Sequence, residues 1–188
     1  MIYFFFLFNN TIASACQILT GQYKDILLNI PISPLSLILR NFTTNLILYL
    51  HFFLIILIMY LFFYYFHMKN ILCYFLGLII FSVNVILISY ICSIITTRFR
   101  DLVPLIQSIL SALTLLTPIM WNKEMLGEKM NYVYLNPLAF MIEIVRDPII
   151  GVVPSLNVYF YNIFLLIILY FMLFFVLKFK GNRIIFWI

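Results

Sequence analysis

One stretch of the chain decides its fold: residues 71–95 read ILCYFLGLIIFSVNVILISYICSII and carry no charge. A helix needs about 20 apolar residues to cross the hydrocarbon core of a bilayer, and this stretch exceeds that length. Uncharged apolar blocks also occur at Ile2–Thr20, Asn41–Phe66, Leu102–Met120 and Leu156–Leu177. None of the blocks alternates polar with apolar residues, as the strands of a membrane barrel would. The sequence therefore predicts an all-α integral membrane protein with about five transmembrane helices, in a single domain over residues 1–188.

The composition excludes several classes of protein. Of the 188 residues, 66% are hydrophobic and 9% are charged, which is more apolar surface than a water-soluble domain of this size could hide. No basic run with interleaved aromatic residues indicates a nucleic-acid surface, and no His, Cys, Asp and Glu cluster has the spacing of metal ligands. A glycine-rich phosphate loop is also absent. We therefore predict no metal site, no catalytic residues and no cofactor bound by this chain.

The basic residues alternate between the connections that join the apolar blocks. Seven Lys and Arg side chains lie on one set of connections, and four lie on the other set, where acidic residues offset them. The larger set consists of Lys24, Arg40, Arg98, Arg100, Lys178, Lys180 and Arg183. Because cytoplasmic loops carry an excess of Lys and Arg, this set is predicted to face the cytoplasm. The chain then starts outside the membrane and ends inside it.

The first cytoplasmic connection, residues 21–35, predicts a short amphipathic helix along the membrane surface. Its candidate residues are two charged side chains, three apolar ones and a proline that turns the chain: Lys24, Asp25, Ile26, Leu27, Ile30 and Pro31. A plain turn between two spans is the alternative.

The second cytoplasmic connection contains Arg98, Arg100 and Asp101. The two arginines can contact anionic headgroups of membrane lipids. Asp101 is predicted to cap the helix that follows and to complement its dipole. Anchoring of the helix end to lipid would by itself explain this loop.

The long external connection, residues 117–154, contains an unusual apolar segment. Pro118 interrupts the end of the fourth block, and Trp121 follows at the depth of the interface. Asn136 and Pro137 form the signature of a helix start, as N-cap and first helical residue.

The helix predicted after Pro137 carries Phe140 and a possible ion pair between Glu143 and Arg146, and Pro148 and Gly151 are predicted to end it. It is too short to cross the membrane and too apolar to lie free in water. Such segments are re-entrant or interfacial, and they are tolerated where they pack on protein or line a wet cavity. A lid resting on lipid headgroups is the alternative.

The apolar blocks contain no charged residue, which argues against an ion-coupled antiporter. His51 lies inside the second block without a carboxylate at the same depth, so a packing or pore-facing role is favoured. What remains is an uncharged path, which Tyr, Phe, Asn and Ser side chains could line.

The segment from Arg98 to Trp121 resembles the membrane subunits of ABC-2 type exporters, in the branch that exports O-antigen, capsule or teichoic acid chains. In that branch a loop with the pattern Arg, Phe or Tyr, Arg, Asp leads into a helix. The helix ends in a five-residue pattern: Ser or Thr, then Pro, then Ile or Val, then any residue, then Trp. The matching residues are Arg98, Arg100, Asp101, Thr117, Pro118 and Trp121. Residues 136–147 resemble the Asn-Pro stretch of the same family. Ile30-Pro31, followed by Arg40 and His51, resembles its ATPase-docking segment, although Phe52 replaces the Asn that often follows this histidine.

The resemblance implies a homodimeric pore with two separate ATPase subunits on its cytoplasmic face, which use ATP and Mg. It also implies a lipid-linked polysaccharide as substrate and a multi-pass position in the inner (plasma) membrane of a bacterium. Residues 24–31 and Arg40 would couple to the ATPase. The outer gate and substrate path would comprise Pro118, Trp121, Asn136, Pro137, Phe140, Glu143 and Arg146.

Three other interpretations stay open: an ABC-2 exporter of drugs or lipids, a membrane enzyme of envelope glycan assembly, and a non-functional fragment. An enzyme would need a cluster of His, Asp or Arg at a membrane face, and the pair Arg146 and Asp147 is the one external candidate. Family members usually carry an amphipathic helix and one more span before the first block found here, and their N-terminus is cytoplasmic. The chain is therefore expected to be truncated at its N-terminus.

Overall fold

The computed structural model of the protein describes residues 2–23, 29, 32–63, 68–117 and 136–180. These residues form six α-helices: α1 (Ile2–Gln17), α2 (Pro34–Phe63), α3 (Met68–Arg98), α4 (Leu102–Leu116), α5 (Pro137–Ile150) and α6 (Leu156–Lys180). A π-helical turn, Ile18–Gln22, continues α1 and closes on a hydrogen bond from the Tyr23 amide to the Ile18 carbonyl oxygen at 3.2 Å. The described ranges contain no strand, so the prediction of an all-α protein is confirmed for them.

Each predicted apolar block overlaps a helix over its described residues. The helix α2 differs most from its block, because it starts at Pro34, before Asn41. Ser33 precedes this helix, and its carbonyl oxygen accepts a hydrogen bond from the Ser36 amide at 3.0 Å. Pro34 occupies the first helical position, where its missing N–H costs little. The charged Arg40 therefore lies inside α2 rather than in a loop.

The central helix of the bundle is α3, which packs against α1, α5 and α6. Phe81 and Val85, near its middle, are 1% and 0% exposed. They belong to one apolar cluster with Phe5 and Phe8 of α1 and Met141 of α5. A second apolar cluster, near the C-terminal end of α3, joins this helix to α1, α2 and α6.

The helices α1 and α3 run in the same direction. Near their first turns, the Phe4 ring lies edge-on to the rings of Tyr74 and Phe81, with centroids 6.4 and 6.0 Å apart. Near their last turns, the Thr96 hydroxyl donates a hydrogen bond to the Cys16 carbonyl oxygen at 3.0 Å. Both helices are therefore predicted to cross the membrane inward, as the alternation of basic residues requires.

A cluster of amide and hydroxyl groups joins α1 to α2, which runs in the opposite direction. The Ser14 hydroxyl donates to Asn41 Oδ1 at 2.9 Å, and Asn41 Nδ2 donates to the Thr11 carbonyl oxygen at 3.0 Å. Two turns further along α2, the Tyr49 hydroxyl accepts a hydrogen bond from the Asn10 amide. Such interhelical bonds hold helices together in lipid, where burial of apolar side chains gives no driving force.

The outer surface of the bundle is apolar. Two described helices are long and apolar enough to cross a membrane, Asn70–Arg98 with 29 residues and Leu156–Phe179 with 24, and Leu102–Leu116 is a shorter apolar helix. Phe160, Phe164 and Phe171 of α6 are exposed. Exposed apolar area of this extent marks a surface that contacts lipid or another protein. The number of five spans stays a prediction.

Candidate functional site

The first turn of α5 is built as the sequence predicts. Asn136 has extended backbone angles and is the N-cap, and its Oδ1 accepts a hydrogen bond from the Leu138 amide at 3.0 Å. Pro137 is the first helical residue. The same Asn136 side chain donates from Nδ2 to the Thr117 hydroxyl at 3.1 Å, so the start of α5 is fixed to the end of α4.

This junction of α4 and α5 lies beside the middle of α3, and not at an end of the bundle. Phe140, in the first turn of α5, is hydrogen-bonded to Asn162 of α6, which is hydrogen-bonded to Asn84 at the middle of α3. The 15 residues of α4 extend over about 22 Å, roughly half the length of α3. The start of α5 therefore lies about halfway along the bundle, beside the middle of α3.

From this junction, α5 runs antiparallel to α3 and ends beside the first turn of α3. Gly151, which ends α5, lies beside Asn70. The glycine has φ 91°, and the Val152 amide bonds to the Asp147 carbonyl oxygen at 2.9 Å, which satisfies a terminal carbonyl group. The prediction that Gly151 ends the helix is confirmed.

The prediction that Pro148 also ends this helix is wrong, because α5 continues through it to Ile150. A proline removes the N–H that would bond to the carbonyl group four residues earlier, here that of Ile144. The carbonyl group of Ile144 faces Gly77 on α3, and a Cβ atom on this glycine would lie 2.5 Å from its oxygen. Prolines persist in membrane helices where a neighbouring helix packs against the freed backbone.

The ion pair predicted within α5 is present, and it has a third member. Arg146 Nη2 lies 3.7 Å from Glu143 Oε1, and Arg146 Nε donates to Asp147 Oδ1 at 2.8 Å. The side chains of Arg146, Glu143 and Asp147 are 16%, 9% and 14% exposed, so all three are largely removed from water. With its guanidinium engaged by two carboxylates, Arg146 is arranged as a structural residue and not as an acid or base for an enzyme reaction.

Aromatic rings cover the partly exposed side of α5. Phe140 is half-buried, and its ring stacks on that of Tyr161 with centroids 4.4 Å apart and an interplanar angle of 22°. Next to it, Asn162 is 0% exposed and donates to the Phe140 carbonyl oxygen at 2.9 Å. Phe140 is the aromatic residue among the candidate gate residues on α5, and it is partly exposed at the surface of this chain.

Asn84 and Asn162 are not among the residues predicted to be functional, although both are fully buried. Their sequence context indicates them, since each is an amide inside a long uncharged block. Amides, like ionisable groups, form hydrogen bonds between membrane helices.

On the predicted cytoplasmic face, the described arginines lie at the surface. The Arg40 guanidinium is 5.2 Å from the centre of the Tyr23 ring, and that of Arg98 is 5.1 Å from the Phe99 ring. Arg98, Phe99 and Arg100 are exposed, which leaves them accessible to lipid headgroups or to a partner protein.

Asp101 occupies the N-cap position of α4, but the prediction that its side chain caps the helix is wrong. Its backbone angles are helical, whereas a capping residue is extended. The Val103 amide is already bonded to the Arg100 carbonyl oxygen at 3.1 Å, and Pro104 has no N–H. No donor is therefore available where a capping oxygen would bind.

Several candidates lie outside the described residues: Lys24, Asp25, Ile26, Leu27, Ile30, Pro31, Pro118 and Trp121. His51 is described and exposed on α2, where its Nδ1 lies 2.8 Å from the Ile47 carbonyl oxygen. The described residues contain no group of three or more His, Cys, Asp or Glu that could hold a metal ion.

Comparison with known proteins identifies the family. The model of the ABC-2 type transporter family matches residues 1–150, which is most of the chain. No curated protein matches the chain. With the apolar helices and the helix junction inside the bundle, this match shows that the chain is a membrane protein of the ABC-2 type transporter family, the permease component of an ABC transporter rather than an enzyme.

Proposed function

We propose that the chain is the permease subunit of an exporter that moves a lipid-linked polysaccharide across the inner membrane of a bacterium. The cargo class is that of O-antigen, capsule or teichoic acid chains. Two copies of the chain form the pore, and a separate ATPase on the cytoplasmic side binds ATP and Mg and drives each step. The family match supports the transporter role and, in general, an ABC ATPase as partner.

The observation that carries the proposal is the position of α5. Its capped start lies at the middle of α3, and its other end lies beside Asn70 near the first turn of α3. A helix that enters only half of the bundle can move at one end of a pore without unfolding a complete span. We assign it as the outer gate, with Trp121 and the described residues Asn136, Pro137, Phe140, Glu143 and Arg146 near the axis between two copies.

Stacked aromatic rings at the proposed gate support a glycan as the cargo. At the start of α5, the rings of Phe140 and Tyr161 form an aromatic surface. Aromatic rings can stack on the apolar faces of sugars.

The arginines on the predicted cytoplasmic face support a docking role there. Arg98 is exposed at the end of α3, and Arg100 is exposed on the connection to α4. Arg40 lies exposed in the second turn of α2, beside Tyr23. We infer that these residues and the segment 24–31 contact the ATPase, and that the short connection transmits its motion to α4. A contact with anionic lipid headgroups would use the same charges.

The test is co-purification and transport with the ATPase encoded in the same cell. We expect a complex of two permease chains and two ATPases, and ATP-dependent movement of a lipid-linked glycan into the lumen of proteoliposomes. An isolated chain that hydrolyses ATP would contradict the assignment of ATP hydrolysis to a separate subunit. Transport of lipids or drugs by the complex, with no movement of glycan, would assign the chain to the other kind of ABC-2 exporter.

A further inference from the structure

Two buried amide side chains lie where α3, α5 and α6 meet. Asn162 of α6 donates from Nδ2 to the carbonyl oxygens of Phe140 at 2.9 Å and Val158 at 2.8 Å. Asn84 of α3 donates from Nδ2 to the Ile80 carbonyl oxygen at 3.1 Å and to that of Asn162 at 3.4 Å. Each amide thus bonds once to its own helix and once to the next helix, so that the three helices are connected in series.

The second polar atom of each amide is left without a partner. The Oδ1 atoms of Asn84 and Asn162 are buried and accept no hydrogen bond from any described residue. A buried acceptor without a donor costs about as much free energy as one hydrogen bond returns. A leucine would fill a similar volume without that cost. The two amides are therefore poor choices for stability alone, and their interhelical donor bonds fix the relative position of the helices.

The bond from Asn162 to α5 is also easy to break and remake. When α5 moves away, Asn162 Nδ2 keeps its bond to the Val158 carbonyl oxygen on its own helix. The Phe140 carbonyl group lies in the first turn of α5, where it has an intrahelical donor as well. Neither group is left without a hydrogen-bond partner in an apolar environment, so breaking this contact costs one interhelical hydrogen bond in addition to the packing of α5 against α3.

We propose that Asn162 and Asn84, here called the amide pair, are positioning residues that hold α5 in its inward-packed position. Asn162 fixes α5 on α6, and Asn84 fixes α6 on the central helix α3. The amide pair thereby sets the closed state of the outer gate. The gating role rests on the proposed function, whereas the docking of α5 onto α6 does not.

The docking can be measured by cross-linking within one chain. Phe140→Cys and Tyr161→Cys place two thiols where the native rings stack at 4.4 Å, in a background in which Cys16, Cys73 and Cys92 are replaced by Ala. The rate of cross-linking by a short thiol-reactive reagent in native membranes then reports how much of the time α5 is docked. Transport by the complex with its ATPase is measured in parallel, without the added cysteines.

The decisive variant is Asn162→Ser. Its hydroxyl can still bond to the Val158 carbonyl oxygen on its own helix, but it cannot reach Phe140 on α5. We expect the ratio of docked to undocked α5 to fall by about tenfold, as for the loss of one buried interhelical hydrogen bond, and cross-linking to slow in proportion to the docked fraction. Asn157→Ser is the matched control, because Asn157 lies exposed on the same helix, and its cross-linking rate should equal that of the parent.

Asn84→Ser tests the second connection, and it serves as the deciding variant if Asn162→Ser does not accumulate in the membrane. Slower cross-linking in either serine variant, with Asn157→Ser unchanged, supports the positioning role. If Asn162→Ser is well expressed and cross-links at the parent rate, the positioning role is overturned. If only Asn84→Ser is well expressed, the same result in that variant overturns it. Slower cross-linking with unaltered transport would keep the amide pair as positioning residues and remove α5 from the gate, so the two proposals can fail separately.

Discussion

Replacement of Gly77 by alanine tests whether α5 is held against α3 by close backbone contact. The Cβ atom of an alanine at this position would lie 2.5 Å from the Ile144 carbonyl oxygen and 3.1 Å from its carbon. Ordinary contact begins near 3.4 Å, so the oxygen is about 0.9 Å too close. Since both atoms belong to the backbone of α5, no change of rotamer can relieve the overlap, and one of the two helices must shift.

Two effects of opposite sign determine the magnitude. Overpacking of a tight core costs about 1–3 kcal/mol, and the value here should lie toward the upper end because backbone is the obstacle. Alanine is a better helix former than glycine by about 1 kcal/mol, which offsets part of that cost. The expected net destabilisation is about 1–2 kcal/mol, which corresponds to a lower thermal midpoint by about 2–8 °C.

The assay is thermal unfolding of the purified protein in detergent, measured as the loss of the native gel-filtration peak with temperature. Gly21→Ala is the control, because a Cβ atom there has no neighbour within 4 Å and Gly21 also lies in a helical turn, so its midpoint should not fall below that of the parent. A Gly77→Ala midpoint at or above that of the parent would refute the argument, since it would mean that α3 and α5 are not in close contact at Ile144.

Three further predictions use the same thermal assay. Asn136→Ala should lower stability by about 1 kcal/mol, because it removes the cap of α5 and its bond to Thr117, and an equal or higher midpoint would contradict the capping role. Arg146→Ala should cost about 2–4 kcal/mol, because it removes a cation that contacts two largely buried carboxylates. Glu143→Gln should cost less, because Arg146 keeps its contact with Asp147; the reverse order would be inconsistent with this network. Thr96→Val should cost about 0.5–1 kcal/mol through the lost bond to the Cys16 carbonyl oxygen, and its midpoint should fall below that of Ser108→Ala, whose exposed hydroxyl bonds only to its own helix.

The all-helical fold could be predicted from the sequence because apolar blocks longer than a bilayer admit few alternatives. The start of α5 could also be predicted, since Asn136 and Pro137 act through local geometry. The two errors arose where tertiary contact or neighbouring residues override a local rule. Pro148 stays inside a helix that packs against Gly77, and Asp101 has no free donor to cap.

The position of the helices relative to one another could not be predicted. No pattern in the chain indicates that α5 starts beside the middle of α3, because that position depends on contacts between residues far apart in sequence. The hydrogen bond between Asn84 and the Asn162 carbonyl group joins positions 78 residues apart. The amides themselves were visible in the sequence, but their partners were not, so a buried polar residue could be noticed without its role being assigned.

The hydrogen bond between Asn136 and Thr117 has a consequence for how the sequence between them can diversify. The two residues are 19 positions apart, yet their side chains are joined at 3.1 Å, so the intervening segment begins and ends at nearly one point. Closing a loop costs only about 0.6 kcal/mol more for each doubling of its length. Insertions or deletions between positions 118 and 135 should therefore leave the placement of α5 unchanged. Sequence changes could therefore accumulate between these two positions while the described helices stay the same.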